Sequence, residues 1–428
     1  MKNQSEHNFS IYILFEYIFL FLTILQVNSV VYLQHSRSVG YLWFGMGFLL
    51  VVTSLFRLFQ NHTNILPLLK IAFVFLIFAL LILLVTLTNG HRLKYITLFT
   101  VIPLGFLVFF YERMVNKQLN QLLLAFKNIM LVLAIISIVF WIMALVGVPT
   151  NMTTTVTWGS NPNLPGYFGI QYLAQGSTKF FGINIIRNTG LFVEAPMYAY
   201  TLSIALLISL YVEKDLKVWQ IVLFTLTIIS TTSTTGAIIG LAALSWYFIF
   251  VNKVKNPAVK LLFIGACLFV LFYGIYYLIG NKVSAIWYSS SSVRTNDYYA
   301  GFMAWKQHIF KGNGLGNFAV IENYMDYRRI LYSNQIGGIT GFSNGIMEVL
   351  AFGGLLTLSI YVIPTVLACF VSRKMTAFSL LSFTLFCTTV IPFSYLYILI
   401  LCFLFMKFYE MRINPPELEN TSPMKLKQ

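Results

Sequence analysis

The sequence predicts an all-α polytopic membrane protein, with about 12 transmembrane helices and two long extracytoplasmic loops. Three observations predict it. Hydrophobic residues make up 58% of the 428-residue chain and charged residues only 10%, against about 45–50% and about 25% in soluble domains. The mean hydropathy is +0.79. The apolar residues also fall into stretches of about 20, the length a helix needs to cross a hydrocarbon core of roughly 30 Å. A soluble enzyme, a disulfide-stapled secreted scaffold and a disordered chain are excluded on the same grounds.

The first stretch, Phe9 to Leu33, is too long for a signal-peptide core and has no small-residue cleavage site, so it reads as a retained helix. Further crossings at Val39–Phe59, Leu66–Leu87, Leu93–Tyr111 and Leu122–Val148 complete a five-helix part, residues 1–148. Gly, Pro, Thr and Asn then interrupt the pattern over 149–190, the first long loop. Leu191–Val212, Val218–Ser230, Gly236–Val251 and Val259–Ile279 form a four-helix part within 191–280. The second long loop is 281–340. Three more crossings, Asn344–Val371, Thr376–Ile391 and Phe393–Phe408, occupy 341–409, and 410–428 is a charged tail.

An even number of crossings puts both termini on one side. With the termini in the cytoplasm, 17 of the 28 Lys and Arg are cytoplasmic, and only Arg37, Arg92 and Lys94 fall in short outer turns. That is the asymmetry cytoplasmic loops carry. The net charge of +15 is therefore explained by orientation, and no nucleic-acid partner is expected. The two long loops nonetheless hold eight Lys and Arg against Glu194, Asp297, Glu322 and Asp326. Long loops translocate regardless of charge, or the basic excess attracts an anionic partner such as lipid phosphate.

Few motifs carry chemistry. Gly312-Asn313-Gly314-Leu315-Gly316 lies in the outer loop and reads as a turn rather than a nucleotide cradle. The five histidines, His7, His35, His62, His91 and His308, are scattered, so neither a metal centre nor a cofactor is expected. Cys267, Cys369, Cys387 and Cys402 all lie in apolar runs and read as packing residues.

Two segments stand out. Arg187-Asn188-Thr189-Gly190-Leu191-Phe192-Val193-Glu194-Ala195-Pro196 sits at the mouth of the sixth helix. Arg187 and Glu194 share a face if the segment is helical. Charges at a membrane boundary are costly and mark either a substrate path or a structural clamp. The second segment starts with Arg294-Thr295-Asn296-Asp297 and continues through Ala304-Trp305-Lys306-Gln307-His308, which resembles an amphipathic surface helix running into the glycine turn. Ser343-Asn344-Gly345-Ile346-Met347-Glu348 then opens the tenth helix, whose N-terminus would present backbone N–H groups to an outer pocket.

The order of these boxes, with the Ser230–Ala237 small-residue turn between them, resembles the O-antigen ligase and Wzy-type polysaccharide polymerase superfamily of bacteria over about Arg187 to Ala351. The resemblance implies a GT-C-like bundle in the bacterial cell membrane, acting without metal on polyprenyl-pyrophosphate-linked oligosaccharides. A chain-length regulator and a flippase are the protein partners it implies. By the same resemblance Arg187 and Arg294 match arginines that hold the pyrophosphate, with Arg328 and Arg329 as further candidates. Phe342 stands where ligases carry a histidine, and Thr234-Thr235-Gly236 stands where many members have Ser-Arg-Gly. The first departure favours a repeat-unit polymerase over a ligase. Glu194, Asp297, Glu348 and His308 are the candidate bases, and the sequence does not choose among them. A lipid-linked oligosaccharide flippase and a non-catalytic assembly protein are the alternatives, the former expected to show matching halves.

Overall fold

The computed structural model describes residues 2–86, 92–156, 163–180, 183–251, 265, 290–336, 342–389 and 393–413. It is mostly helical. In chain order the helices are α1 (Lys2–Leu25), α2 (Val30–Gln34), α3 (Ser36–Gln60), α4 (Leu66–Thr86), α5 (Arg92–Ile96), α6 (Ile102–Val115) and α7 (Gln121–Leu145). After a β segment come α8 (Ala195–Tyr211), α9 (Val218–Ser230), α10 (Thr234–Trp246), α11 (Ser290–Gln307), α12 (Ala319–Glu322) and α13 (Tyr327–Ile336). The chain closes with α14 (Gly345–Cys369), α15 (Arg373–Thr388) and α16 (Tyr395–Ile413). A π-helical segment, Thr97–Val101, joins α5 to α6, and another, Tyr247–Val251, continues α10.

Among the described residues six helices are long and apolar enough to cross a membrane: Ser36–Gln60, Leu66–Thr86, Leu93–Val115, Gln121–Leu145, Thr234–Val251 and Gly345–Cys369. Their outward faces are apolar as well. Phe48 is 73% exposed and Leu84 is 80% exposed, and contiguous surfaces of this kind call for lipid rather than water. The ninth expected crossing, Val259–Ile279, lies outside the described residues, as does the tail beyond 413.

The core is organised around α8. All of its residues are buried except Pro196, and a helix that is apolar all round belongs in the centre of a bundle. It touches α7, α9, α10 and α15. Gly236 lets α10 approach closely, since a Cβ there would lie 2.9 Å from that of Ala199. The sixth crossing thus starts at Ala195 rather than Leu191, because Pro196 suits only a first helical turn. The first crossing also stops early, at Leu25, and α2 follows as a separate short helix.

The all-α expectation fails in the first long loop. Met152–Thr155, Asn163–Tyr167 and Gln171–Tyr172, here β1, β2 and β3, form an antiparallel sheet in that order, with Met152 opposite Gly166 and Gly166 opposite Tyr172. Ser177–Phe180 and Ile183–Ile186, β4 and β5, form a hairpin. The Thr and Ile residues in these strands suit extended backbone. The sheet buries a small apolar cluster of Val30, Val156, Leu164, Tyr172 and Val193. Trp141 of α7 ties the hairpin down by donating to the Ile186 carbonyl at 2.7 Å.

A second finding concerns charge. Arg113 and Lys127 belong to the basic set expected in cytoplasmic loops, yet Arg113 is fully buried and Lys127 is 2% exposed. Arg113 pairs with Glu16 of α1 and with Glu112, which also lies 3.7 Å from Arg57. Lys127 pairs with Glu213 at 2.8 Å and donates to Gln220. These residues fasten helices together, and packing accounts for their position without reference to orientation.

The tenth crossing is broken. Within α14, Gly354 adopts φ 60° and ψ −160°. The glycine turn of the second loop fills the break: Asn313 and Gly314 donate backbone N–H groups to the Ala351 and Phe352 carbonyls at 2.9 and 2.8 Å. Leu355 and Leu356 donate to Ile309 and Phe310 at 3.0 and 3.1 Å. Irregular backbone inside a spanning helix survives only where protein satisfies its polar groups. A Cβ at Gly354 would overlap the Phe310 carbonyl, and one at Gly312 (φ 64°) would collide with Phe352 backbone. Gly312→Ala and Gly354→Ala are each expected to cost at least about 1–3 kcal/mol from backbone strain alone. Gly45→Ala, where nothing lies within 4 Å, is expected to be neutral or to stabilise by up to about 1 kcal/mol. Thermal unfolding in detergent measures all three.

Candidate functional site

The segment from Arg187 to Glu194 is an irregular strap, not a helix, so its polar groups need partners from elsewhere. Asn188 provides most of them. Its buried carboxamide donates to Ser230 (3.0 Å) and Ser137 (3.3 Å) and accepts from Gln171 (3.0 Å) and the Gly190 N–H (3.2 Å). Its own N–H donates to the Ser230 carbonyl at 3.1 Å. Gly190, at φ 56°, presses against the Tyr198 ring, and Phe192 stacks on that ring at 5.4 Å. The strap closes by pairing with the residues after α1: Val30 donates to Leu191 at 2.9 Å and Val193 donates to Asn28 at 3.2 Å.

This docking presents Arg187 to the turn between α9 and α10. Its Nε–H is shared between the Thr231 carbonyl (3.2 Å) and the Thr232 hydroxyl (2.9 Å). Thr232 sits at φ 53°, a conformation that is costly for a β-branched residue. Ser233 caps α10 through the Gly236 N–H. Two residues along, the Thr235 hydroxyl accepts from Arg294 of α11 at 3.1 Å. Two arginines 107 positions apart in sequence therefore rest on one Thr-rich turn. Their acceptors there are neutral, so these bonds orient the guanidiniums without cancelling charge. Burial pushes the Arg187 pKa below its ordinary value; the Glu194 carboxylate raises it, and the Arg294 charge lowers it further. Glu194 is the N-cap residue of α8, in extended backbone, so Arg187, Glu194 and Arg294 share one site.

One turn beyond Arg294, Asp297 is fully buried. It accepts from Arg329 at 2.6 Å and from the Ser343 N–H at 2.8 Å, and the Ser343 hydroxyl donates to it as well. The next residue, Asn344, caps α14 by accepting from Met347 N–H at 3.3 Å. The N–H groups expected to face an outer pocket are thus partly taken up within the protein. Gly301 lets α11 lie close against this end of α14, where a Cβ would come 2.6 Å from that of Met347. The helix expected to be an amphipathic surface helix packs one face along α14, with Ala300 and Ala304 fully buried and Tyr299 and Lys306 exposed. Glu348, one turn into α14, lies within electrostatic range of Lys94 and Asp297.

Other expected residues lie apart. His308 is exposed just past α11. It is 14 residues from Arg294, about 21 Å along a helix axis. Arg328 is exposed at the start of α13, while its neighbour Arg329 is 2% exposed and committed to Asp297. The Arg329–Asp297 pair acts as a brace between α11, α13 and the Ser-Asn box. Asn188, Gln171 and Ser137, which build the strap, carry no motif of their own; adjacency to Arg187 is the one signal that marks Asn188. Among the described residues no group of three His, Cys, Asp or Glu side chains gathers as metal ligands.

Removing one member of a buried ion pair strands the other charge, at about 3–5 kcal/mol. Arg329→Ala is therefore expected to destabilise the protein by that amount in thermal unfolding, whereas Lys306→Ala, on the exposed side of α11, should stay within about 0.5 kcal/mol of the wild type.

No model of a known protein family matches the chain, and no curated protein matches it.

Proposed function

We propose that the protein is a membrane glycosyltransferase that polymerises polyprenyl-pyrophosphate-linked oligosaccharide repeat units into exopolysaccharide, capsule or O-antigen. The observation that carries this reading is the convergence of Arg187 and Arg294 on the turn at Thr231–Thr235 beside Glu194. A guanidinium has five N–H donors. Arg187 spends only Nε–H on the turn and Arg294 a single terminal nitrogen. The remaining forks suit a pyrophosphate, which planar guanidiniums bind in bidentate fashion.

In this reading the hydroxyl at the non-reducing end of one lipid-linked repeat attacks the anomeric carbon of the glycan carried by another. A new glycosidic C–O bond forms, and the bond from that carbon to the pyrophosphate oxygen breaks. The two arginines stabilise the charge that grows on the leaving pyrophosphate, as fixed donors do in a water-poor site. Glu194 takes the hydroxyl proton. Asp297 is held by Arg329 and Ser343, and His308 is far along α11, which leaves Glu348 as the competing carboxylate. The membrane is the bacterial cell membrane, with about 12 crossings and both termini cytoplasmic.

Arg187→Ala and Arg294→Ala should each lower polymer formation by about 10²–10³-fold, the effect of losing one leaving-group donor. The lysine variants should recover part of it, because a point charge lacks the planar fork. Glu194→Gln should lower turnover by about 10²–10⁴-fold while lipid-linked substrate still binds. Normal turnover in Glu194→Gln together with a dead Glu348→Gln would move the base to α14. Purified enzyme with defined lipid-linked repeats measures both.

Orientation has its own test. Thr153→Cys and His308→Cys, each exposed, are placed singly in a background without the four native cysteines. Both should react with impermeant maleimide in intact cells. Labelling only after lysis inverts the orientation and removes the site from the outer face.

A further inference from the structure

A second feature lies far from the arginines. A groove of about 820 Å³ runs between α4, α6, α14 and α16. Its walls are apolar: Val74 and Phe78 of α4, Leu107 of α6, Ile363 of α14, and Leu401 and Phe405 of α16. It is open along its length, with Val74 at 67% and Ile363 at 43% exposure. From Leu66 to Phe78 it follows 13 residues of α4, about 18 Å of helix, which is close to one leaflet of a hydrocarbon core roughly 30 Å thick.

The groove carries charge at one end, and Ser359, whose hydroxyl donates to the Leu356 carbonyl, is a polar residue elsewhere in its wall. At the charged end Lys70 lines it one turn into α4, together with Asn64 and Tyr409. Tyr111, which donates to the Asn64 carbonyl at 2.8 Å, also lies near Tyr409, so these groups share a level. Lys70 is exposed and forms no ion pair among the described residues. Arg57, Arg113 and Lys127 each face a carboxylate, and Lys407, beside Tyr409 on α16, pairs with Glu410. The N-terminal turn of α4 adds the positive end of its dipole at the same place. An unpaired cation at the polar mouth of a leaflet-long apolar groove is complementary to one kind of molecule.

We propose that this groove binds an anionic glycerophospholipid, with an acyl chain along α4 and α16 and the phosphate against Lys70. Proline shapes both ends of the wall: Pro67 starts α4, and Pro103 and Pro364 interrupt the ridges of α6 and α14. The site is independent of the arginine pair and of the reaction proposed there.

Native mass spectrometry of the full-length protein tests it, after equilibration with mixed micelles of phosphatidylglycerol and phosphatidylcholine carrying identical chains. One lysine near an anionic headgroup accounts for about a fivefold preference. The wild type should retain phosphatidylglycerol over phosphatidylcholine by about that factor, and Lys70→Ala should bring the ratio close to one. Ile363→Trp, which fills the groove, should reduce retention of both lipids. A preference that survives Lys70→Ala, unchanged lipid retention in Ile363→Trp, or a dimer in place of bound lipid would each overturn the proposal.

Discussion

The site depends on the Asn188 carboxamide. A strap without helix or strand has to run between a β-sheet and a helical bundle at the edge of the membrane, and its unpaired backbone groups would otherwise be costly. Asn188 can donate two hydrogen bonds and accept two, and it makes all four, reaching β3, α7, the end of α9 and the strap itself. Arg187 is the preceding residue, so its position on the Thr turn follows from that network. Glu194 follows from the other end, where the strap enters α8.

The second half of the site is held by a different device. Arg294 belongs to α11, more than a hundred residues downstream, and it reaches the same turn only because α11 is fixed along α14. Two features fix it. Asp297 is clamped between Arg329 and Ser343, and the glycine turn after α11 completes the broken backbone of α14. Both devices use backbone or buried polar groups whose partners are supplied once only, so the placement of Arg294 is specific. A buried pair of this kind stabilises weakly in net terms, while losing one partner is costly.

Charge is handled in two ways in the bundle. Between α1, α3, α6, α7 and α9 three buried or half-buried cations face carboxylates: Arg113 with Glu16, Arg57 with Glu112, Lys127 with Glu213. At the Thr turn the acceptors of Arg187 and Arg294 are hydroxyls and a carbonyl. Paired cations neutralise themselves and hold helices together. Arg187 and Arg294 are instead oriented by neutral hydrogen-bond acceptors, with the Glu194 carboxylate as the opposite charge acting on Arg187.

The sequence alone determined the class of the protein and the positions of most helices, because both follow from local quantities. Long apolar runs have few conformations that satisfy their backbone in lipid, and Ser36–Gln60, Leu66–Thr86 and Val218–Ser230 lie within a few residues of the boundaries the hydropathy marks. It also marked Arg187 and Glu194, since charge at the edge of an apolar run is visible without a structure, while Arg294 was named through the family resemblance. The short strands of the first loop were not legible: at two to five residues each, they are too brief for an alternating pattern to emerge. Nor could the sequence separate Arg294 from Arg329, two arginines, or Glu194 from Asp297, two carboxylates, because the members of each pair differ chiefly in what packs against them. The tertiary structure shows what packs against each. It paired Arg329 with Asp297 in the interior and left Arg187 and Arg294 on neutral oxygens, and contacts between residues so distant in the chain are decided by packing rather than by local composition.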